Sequence, residues 1–239
     1  MKNFSTILST IAVVLASIAM YSVYNNKVNV SAADVEAAVK SNPKMIVEAW
    51  QAYEEEQQAA KIRARDEAMA RYADEINNEE GVPFVGPKDA KITLVEFFDF
   101  SCGFCKRLAP NIEKIISDNT DVKVVFKPVS FVSRVSSYQA KAGIAAHKQG
   151  KFLEFYKAIM ASQNASSEAA IDDIAASVNL DMDQYKKDLQ SEETTKALDR
   201  VETLRANIEV NGVPALFLNA KSLHAASVAE IQEAINAAK

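Results

Sequence analysis

Cys102 and Cys105 are the only two cysteines of the chain, three positions apart around Gly103 and Phe104. Upstream, 91–100 (KITLVEFFDF) is apolar on both faces over most of its length, as suits a central strand covered on both sides. Downstream, Leu108, Ile112, Ile115 and Ile116 recur at helical spacing through 106–117. The dithiol thus falls where a strand hands over to a helix. There, unpaired backbone N–H groups and the positive end of the helix dipole stabilise thiolate, the nucleophilic form of cysteine. A second cysteine one turn on is close enough to close a disulfide or resolve a mixed one. Cys102 is therefore the expected attacking thiol and Cys105 the buried resolving thiol of a redox-active pair.

Other chemistries fit less well. Structural zinc needs two further ligands, and the two histidines, His147 and His224, are each alone and far away in sequence. A structural disulfide between residues so close would close too small a loop to stabilise much. Copper capture by two thiolates stays open, although the methionines form no thioether cluster. The redox reading calls for no metal and no cofactor. Glu96 is the only acid in the interior of the apolar strand, six residues before Cys102. It is either an exposed strand position or, if both faces are covered, a buried carboxyl with a raised pKa able to relay a proton to Cys105. Far downstream, Val213-Pro214 precedes the apolar run 215–218, and a Pro at the first residue of a strand is ordinary by itself.

The elements that position these residues are legible as an α/β pattern. Turn chemistry in 81–90, with two prolines and two glycines, opens the main domain, and 121–129 (DVKVVFKPV) follows the dithiol helix as a strand, completing βαβ. Between that strand and Pro214 the signals are helical. Phe152, Phe155, Tyr156, Ile159 and Met160 make an apolar stripe, Ser167 can cap one helix, and Asp181 can cap another with Gln184 three residues on.

The 239 residues carry 27 Lys+Arg against 32 Asp+Glu, and a net charge of −5 argues against nucleic acid as a partner. Residues 1–32 hold no acid and two bases, Lys2 and Lys27, around an apolar run from Ile7 to Tyr24, which reads as an export signal or an uncleaved N-terminal membrane anchor. Either places the remainder outside the cytoplasm. Residues 33–80 then read as a charged helical stalk. Ser41-Asn42-Pro43 supplies a start, and no further breaker occurs until Asn77-Asn78, which allows one helix of about 35 residues. Ile46, Trp50 and Tyr53 make a short apolar patch on it. The patch suits an arm that joins protomers into a homo-oligomer; the alternative is a solvated spacer, since sustained heptads are absent.

Taken together, VEFFDFSCGFC (95–105), Pro110 in the following helix and GVPALFLN (212–219) resemble the thioredoxin superfamily, in particular its DsbA-like exported oxidoreductases. The resemblance implies a thioredoxin fold with an inserted helical domain: core 81–132 and 206–239, insertion 133–205, preceded by the long N-terminal helix. It implies that Val213-Pro214 is a cis peptide facing Cys102, that Gly103, Phe104, Val213 and Pro214 contact substrate, and that Glu96 holds the buried-acid position. Exchange with exported proteins bearing cysteines, served by a membrane redox partner, follows from it. Gly103-Phe104 resembles the Gly-aromatic pair of disulfide isomerases, and the stalk resembles that of oligomeric isomerases and suppressor-of-copper-sensitivity proteins. Val213 before the proline resembles the oxidase branch. The expectation leans to isomerase or reductase, with a disulfide oxidase, and then a copper-binding redox protein, as alternatives. The usual Gly-rich turn of the last hairpin is missing around 221–227 (KSLHAAS).

Overall fold

The computed structural model describes residues 31–239 together with positions 16, 17, 20, 21 and 24. The export segment expected over residues 1–32 lies almost wholly outside the described residues, and among these no helix is long and apolar enough to cross a membrane. The chain forms two compact units, one ending at Ala60 and one beginning at Lys61.

In the first unit, Ser31 caps helix α1 (Ala32–Ser41): its hydroxyl accepts from the Asp34 N–H while the Asp34 carboxylate accepts from the Ser31 N–H. Helix α2 (Pro43–Arg71) starts on its proline, where the missing N–H costs nothing. It runs 29 residues, about 43 Å. Ile46, Trp50 and Tyr53 are exposed along it, with the Trp50 and Tyr53 rings 5.9 Å apart. The helix does not continue to Asn77 as the absence of breakers suggests. It ends at Arg71, and a short helix α3 (Ala73–Asn77) follows Tyr72, whose backbone leaves helical geometry. Met69 and Ile76, on either side of the break, both lie in the core of the second unit.

The second unit is built on a mixed sheet of order β1-β3-β2-β4-β5: β1 (Phe84–Val85), β2 (Ile92–Phe98), β3 (Val122–Pro128), β4 (Ala215–Leu218) and β5 (Lys221–Leu223). β2 and β3 are parallel, joined by α4 (Gly103–Asp118), and the other pairings are antiparallel. β2 is central and buried at all seven positions, which accounts for its near-continuous apolar composition. Gly86 enters the sheet at φ +102°, where a side chain would collide with the Val122 carbonyl. The turn of the last hairpin is not in 221–227. It is Asn219-Ala220, both at positive φ, a two-residue turn made without glycine, and 221–223 are strand. Asn219 is held there by accepting from the Thr93 N–H at its Oδ1 and donating its own N–H to Thr93 O, both at 2.9 Å.

Helices α5 (Ser136–Lys148), α6 (Phe152–Ala161), α7 (Glu168–Ser177), α8 (Met182–Gln190) and α9 (Glu192–Asn207) separate β3 from β4, and α10 (Val228–Ala238) ends the chain. Alternation along β2 sorts the core into two. Leu94 and Phe98 face Leu108, Ile112 and Ile115 of α4, Phe155 and Tyr156 of α6, and Ile231 and Ile235 of α10. Val95 and Phe97 face Ile76, Val201, Leu204 and Ile208 on the other side.

Candidate active site

β2 ends at Phe98 and the chain turns through Asp99, Phe100 and Ser101 into α4. Cys102 occupies the N-cap position in extended conformation, with its N–H on Asp99 O at 2.9 Å and its carbonyl accepting from the Lys106 N–H at 3.0 Å. The Cys102 side chain makes no capping hydrogen bond at the helix start, where the first-turn N–H groups of α4 have no intrahelical partner. Cys102 keeps 7% of its surface exposed and Cys105, one turn on, none; both are free thiols. Burial pushes the Cys105 thiol well up, and the neighbouring Glu96 carboxyl and Cys102 add to that. One sulfur is thus reachable and the other is held protonated beneath it.

The Val213–Pro214 peptide is cis and lies against the dithiol: Cys102 Sγ donates to Val213 O at 3.4 Å. Gly103 and Phe104 form the first turn of α4. Phe104 is 68% exposed, with the Arg107 guanidinium 4.3 Å from its ring centroid. From Phe104 and Pro214 a groove of about 690 Å³ runs along Leu216 and Leu223 to His224 and Arg65. The apolar strand β4, its cis proline and the exposed aromatic together wall this groove.

Glu96 sits between Phe126 of β3 and Leu216 of β4 with no exposed surface. Its Oε2 accepts from the Tyr156 hydroxyl at 3.2 Å, and its Oε1 has no partner among the described residues. Burial raises its pKa to about 8, the tyrosine opposing only in part. Of the two placements open in the sequence, exposed or buried, the fold takes the second, because β2 is covered on both faces. The structure therefore brings together Cys102, Cys105, Glu96, Gly103, Phe104, Val213 and Pro214, which come from two segments more than a hundred residues apart.

The histidines stay apart from the dithiol pair. His147 packs edge-on against Phe84 at 5.3 Å, and His224 lies further along the groove. Among the described residues no three His, Cys, Asp or Glu side chains come together as a metal site. Lys127 is buried but pairs with Phe97 in register, which sends it to the face opposite Glu96. There its ammonium donates to Glu75 O at 3.0 Å and Asn78 O at 2.6 Å, tying the end of α3 to the sheet.

One site residue escaped the reading of the sequence. Asp99 has no exposed surface, and its carboxylate accepts from the Ser101 N–H (2.8 Å), the Val132 N–H (3.1 Å) and the Ser136 hydroxyl (2.9 Å). The available signal was an Asp at a strand end, two residues before Ser, where its side chain accepts from the backbone ahead.

A three-layer fold on a mixed sheet, with a dithiol at a helix start against a cis proline, defines the class of thioredoxin-fold thiol–disulfide oxidoreductases. The chain belongs to the thioredoxin family, whose model matches residues 77–237. It is similar to the catalytic domain of ScsC from Proteus mirabilis, with a TM-score of 0.64 and 27% identity over 72% of this chain and 97% of that one. Over 148 residues it is 29% identical to a probable disulfide bond formation protein D of Bacillus cereus, covering 56% of this chain and 68% of that protein. Over 141 residues it is 28% identical to a Na(+)/H(+) antiporter NhaA 3 of Salinispora tropica; this covers 58% of the chain but only 22% of the antiporter.

Proposed function

We propose that this chain exchanges disulfides with cysteine-bearing proteins outside the cytoplasm, through a mixed disulfide at Cys102, and acts chiefly as an isomerase or reductase. The observation that carries the reading is the reachable Cys102 sulfur, 3.4 Å from the carbonyl of the cis Val213–Pro214 peptide, above a fully buried Cys105. The Cys102 thiolate attacks one sulfur of a client disulfide. The Cys102–client bond forms, the client bond breaks, and the second client sulfur leaves as thiolate. In isomerisation that thiolate attacks a second client disulfide, the sulfur it displaces attacks the Cys102–client bond, and Cys102 leaves as thiolate with no net change in electrons. In reduction, Cys105 gives its proton to the Glu96 carboxylate and its sulfur attacks Cys102. The Cys102–Cys105 bond forms, the Cys102–client bond breaks and the first client sulfur leaves as thiolate, so that two electrons have passed to the client. A carboxyl whose pKa is about 8 is suited to taking and returning a proton near neutrality.

Gly103, Phe104, Val213 and Pro214 serve as the client contacts, and backbone groups beside the cis proline hold the client strand. Three features favour the isomerase or reductase direction: the Gly-Phe pair, the absence of a His cation between the cysteines, and an arm (33–80) that would gather several sites around one client. The exposed Ile46, Trp50 and Tyr53 supply the contact of that homo-oligomer. Export through residues 1–32, as signal or membrane anchor, brings the domain to its clients, and a membrane redox partner resets the pair after each net reduction. The oxidase reading is favoured by Val213 and by the name of the Bacillus relative. A glutathione redox titration of Cys102/Cys105, beside the mass of the full chain in solution, decides between them. A reducing pair in an oligomer is expected, and a strongly oxidising monomer overturns the isomerase direction.

A further inference from the structure

The dithiol turn is moored to the 130–136 loop and the start of the helical insertion through Asp99 and Ser101. Asp99 Oδ1 accepts from the Ser101 N–H and the Ser136 hydroxyl, and Oδ2 from the Val132 N–H, while Asp99 O receives the Cys102 N–H. Ser136 opens α5, and its Oγ also takes the Ser133 N–H at 2.9 Å. The Ser101 hydroxyl bonds Gln139 Oε1 at 2.7 Å and meets the Ser133 hydroxyl at 2.8 Å, and Gln139 in turn donates to Ala165 O. One fully buried carboxylate thus spans the residue before Cys102 and the 130–136 loop that leads into the insertion. Hydrogen bonds to a charged acceptor are the stronger kind, and leaving their buried donors unpaired is costly.

We propose that Asp99 is a positioning residue for the attacking thiol: it locks the Ser101–Cys102 turn to the insertion and so holds Cys102 Sγ in line with the start of α4 and with Val213 O. The role deepens the exchange reading, on which only its catalytic consequence rests. Its sign is distinctive. A carboxylate acting on Cys102 through charge alone would disfavour the neighbouring thiolate, so its removal would speed alkylation. A carboxylate that positions the sulfur over the helix N-terminus has the opposite effect.

The test uses the full chain, reduced, in three forms: unaltered, Asp99→Asn and Ser136→Ala. Asparagine keeps the size but offers an NH2 where one of the N–H donors needs an acceptor; Ser136→Ala removes one donor and leaves both backbone bonds. The readouts are the iodoacetamide rate at Cys102, the glutathione equilibrium of the pair, and urea unfolding. With Asp99→Asn, alkylation about tenfold slower and an equilibrium constant moved about tenfold, equal to about 30 mV, are expected. With Ser136→Ala a change of about threefold in the same direction is expected. Unchanged or faster alkylation in a folded Asp99→Asn chain overturns the proposal. Should that variant not fold, unchanged or faster alkylation in Ser136→Ala overturns it instead. Failure of the exchange reading looks different: the unaltered chain itself would alkylate no faster than a free peptide thiol.

Discussion

Replacing Glu96 by glutamine separates the two consequences of burying an acid under a dithiol. In the unfolded chain this carboxyl titrates near 4.5, and in the folded one near 8. The unfolded state therefore binds fewer protons than the folded state between those values, and stability falls as pH rises through that window. The ionisation balance amounts to about 3 kcal/mol lost by pH 7 and about 5 kcal/mol by pH 9, relative to pH well below 4.5. The glutamine side chain is neutral throughout and can still accept from Tyr156, so the Glu96→Gln variant escapes this loss. Urea unfolding of both chains, reduced, from pH 5 to 8 is the assay. The two should lie within about 1 kcal/mol at pH 5, and the variant should be the more stable by about 3 kcal/mol or more at pH 7–8. Lys127, whose pKa burial lowers to about 8, titrates in the same range but is common to both chains and cancels in the difference. Over the same pH range the variant should reduce a client disulfide at least about tenfold more slowly, because Cys105 has lost its proton acceptor. Parallel stability curves would refute the buried-acid argument, and equal turnover would refute the relay.

Cys105→Ser should accumulate a mixed disulfide between Cys102 and a client, visible by non-reducing electrophoresis and mass spectrometry, since nothing remains to resolve it; Cys102→Ser should accumulate none. Trp50→Glu, on the exposed face of α2, should lower the solution mass by light scattering while leaving glutathione equilibration of the pair unchanged; a full chain that is already monomeric removes the arm from the mechanism. Gly86→Ala should lower stability by about 2 kcal/mol or more, read as an earlier urea midpoint at constant slope, because its φ is +102° and the added carbon would lie 2.2 Å from Val122 O.

What the chain discloses on its own is the local chemistry. The apolar run of β2, the spacing of Leu108, Ile112 and Ile115, and two cysteines at the junction are periodic or contiguous signals. They point to βαβ, a dithiol at a helix start and helices between β3 and Pro214 without reference to anything distant. What pairs across the molecule had to come from the packed structure. Whether Glu96 is buried depends on helices and strands contributed from far along the chain, and Lys127 lies on the opposite face of the sheet because it pairs with Phe97, a register invisible in a single sequence. No breaker residue announces that α2 ends at Arg71 and α3 starts at Ala73. Asn219-Ala220 turns without glycine because Thr93 on the neighbouring strand holds it. Asp99 reads as a common turn acid until Ser136 and Val132 are folded onto it. Propensity and period act over a few residues, whereas burial, register and shared hydrogen bonds are properties of surfaces that exist only once the sheet and its helices have closed on each other.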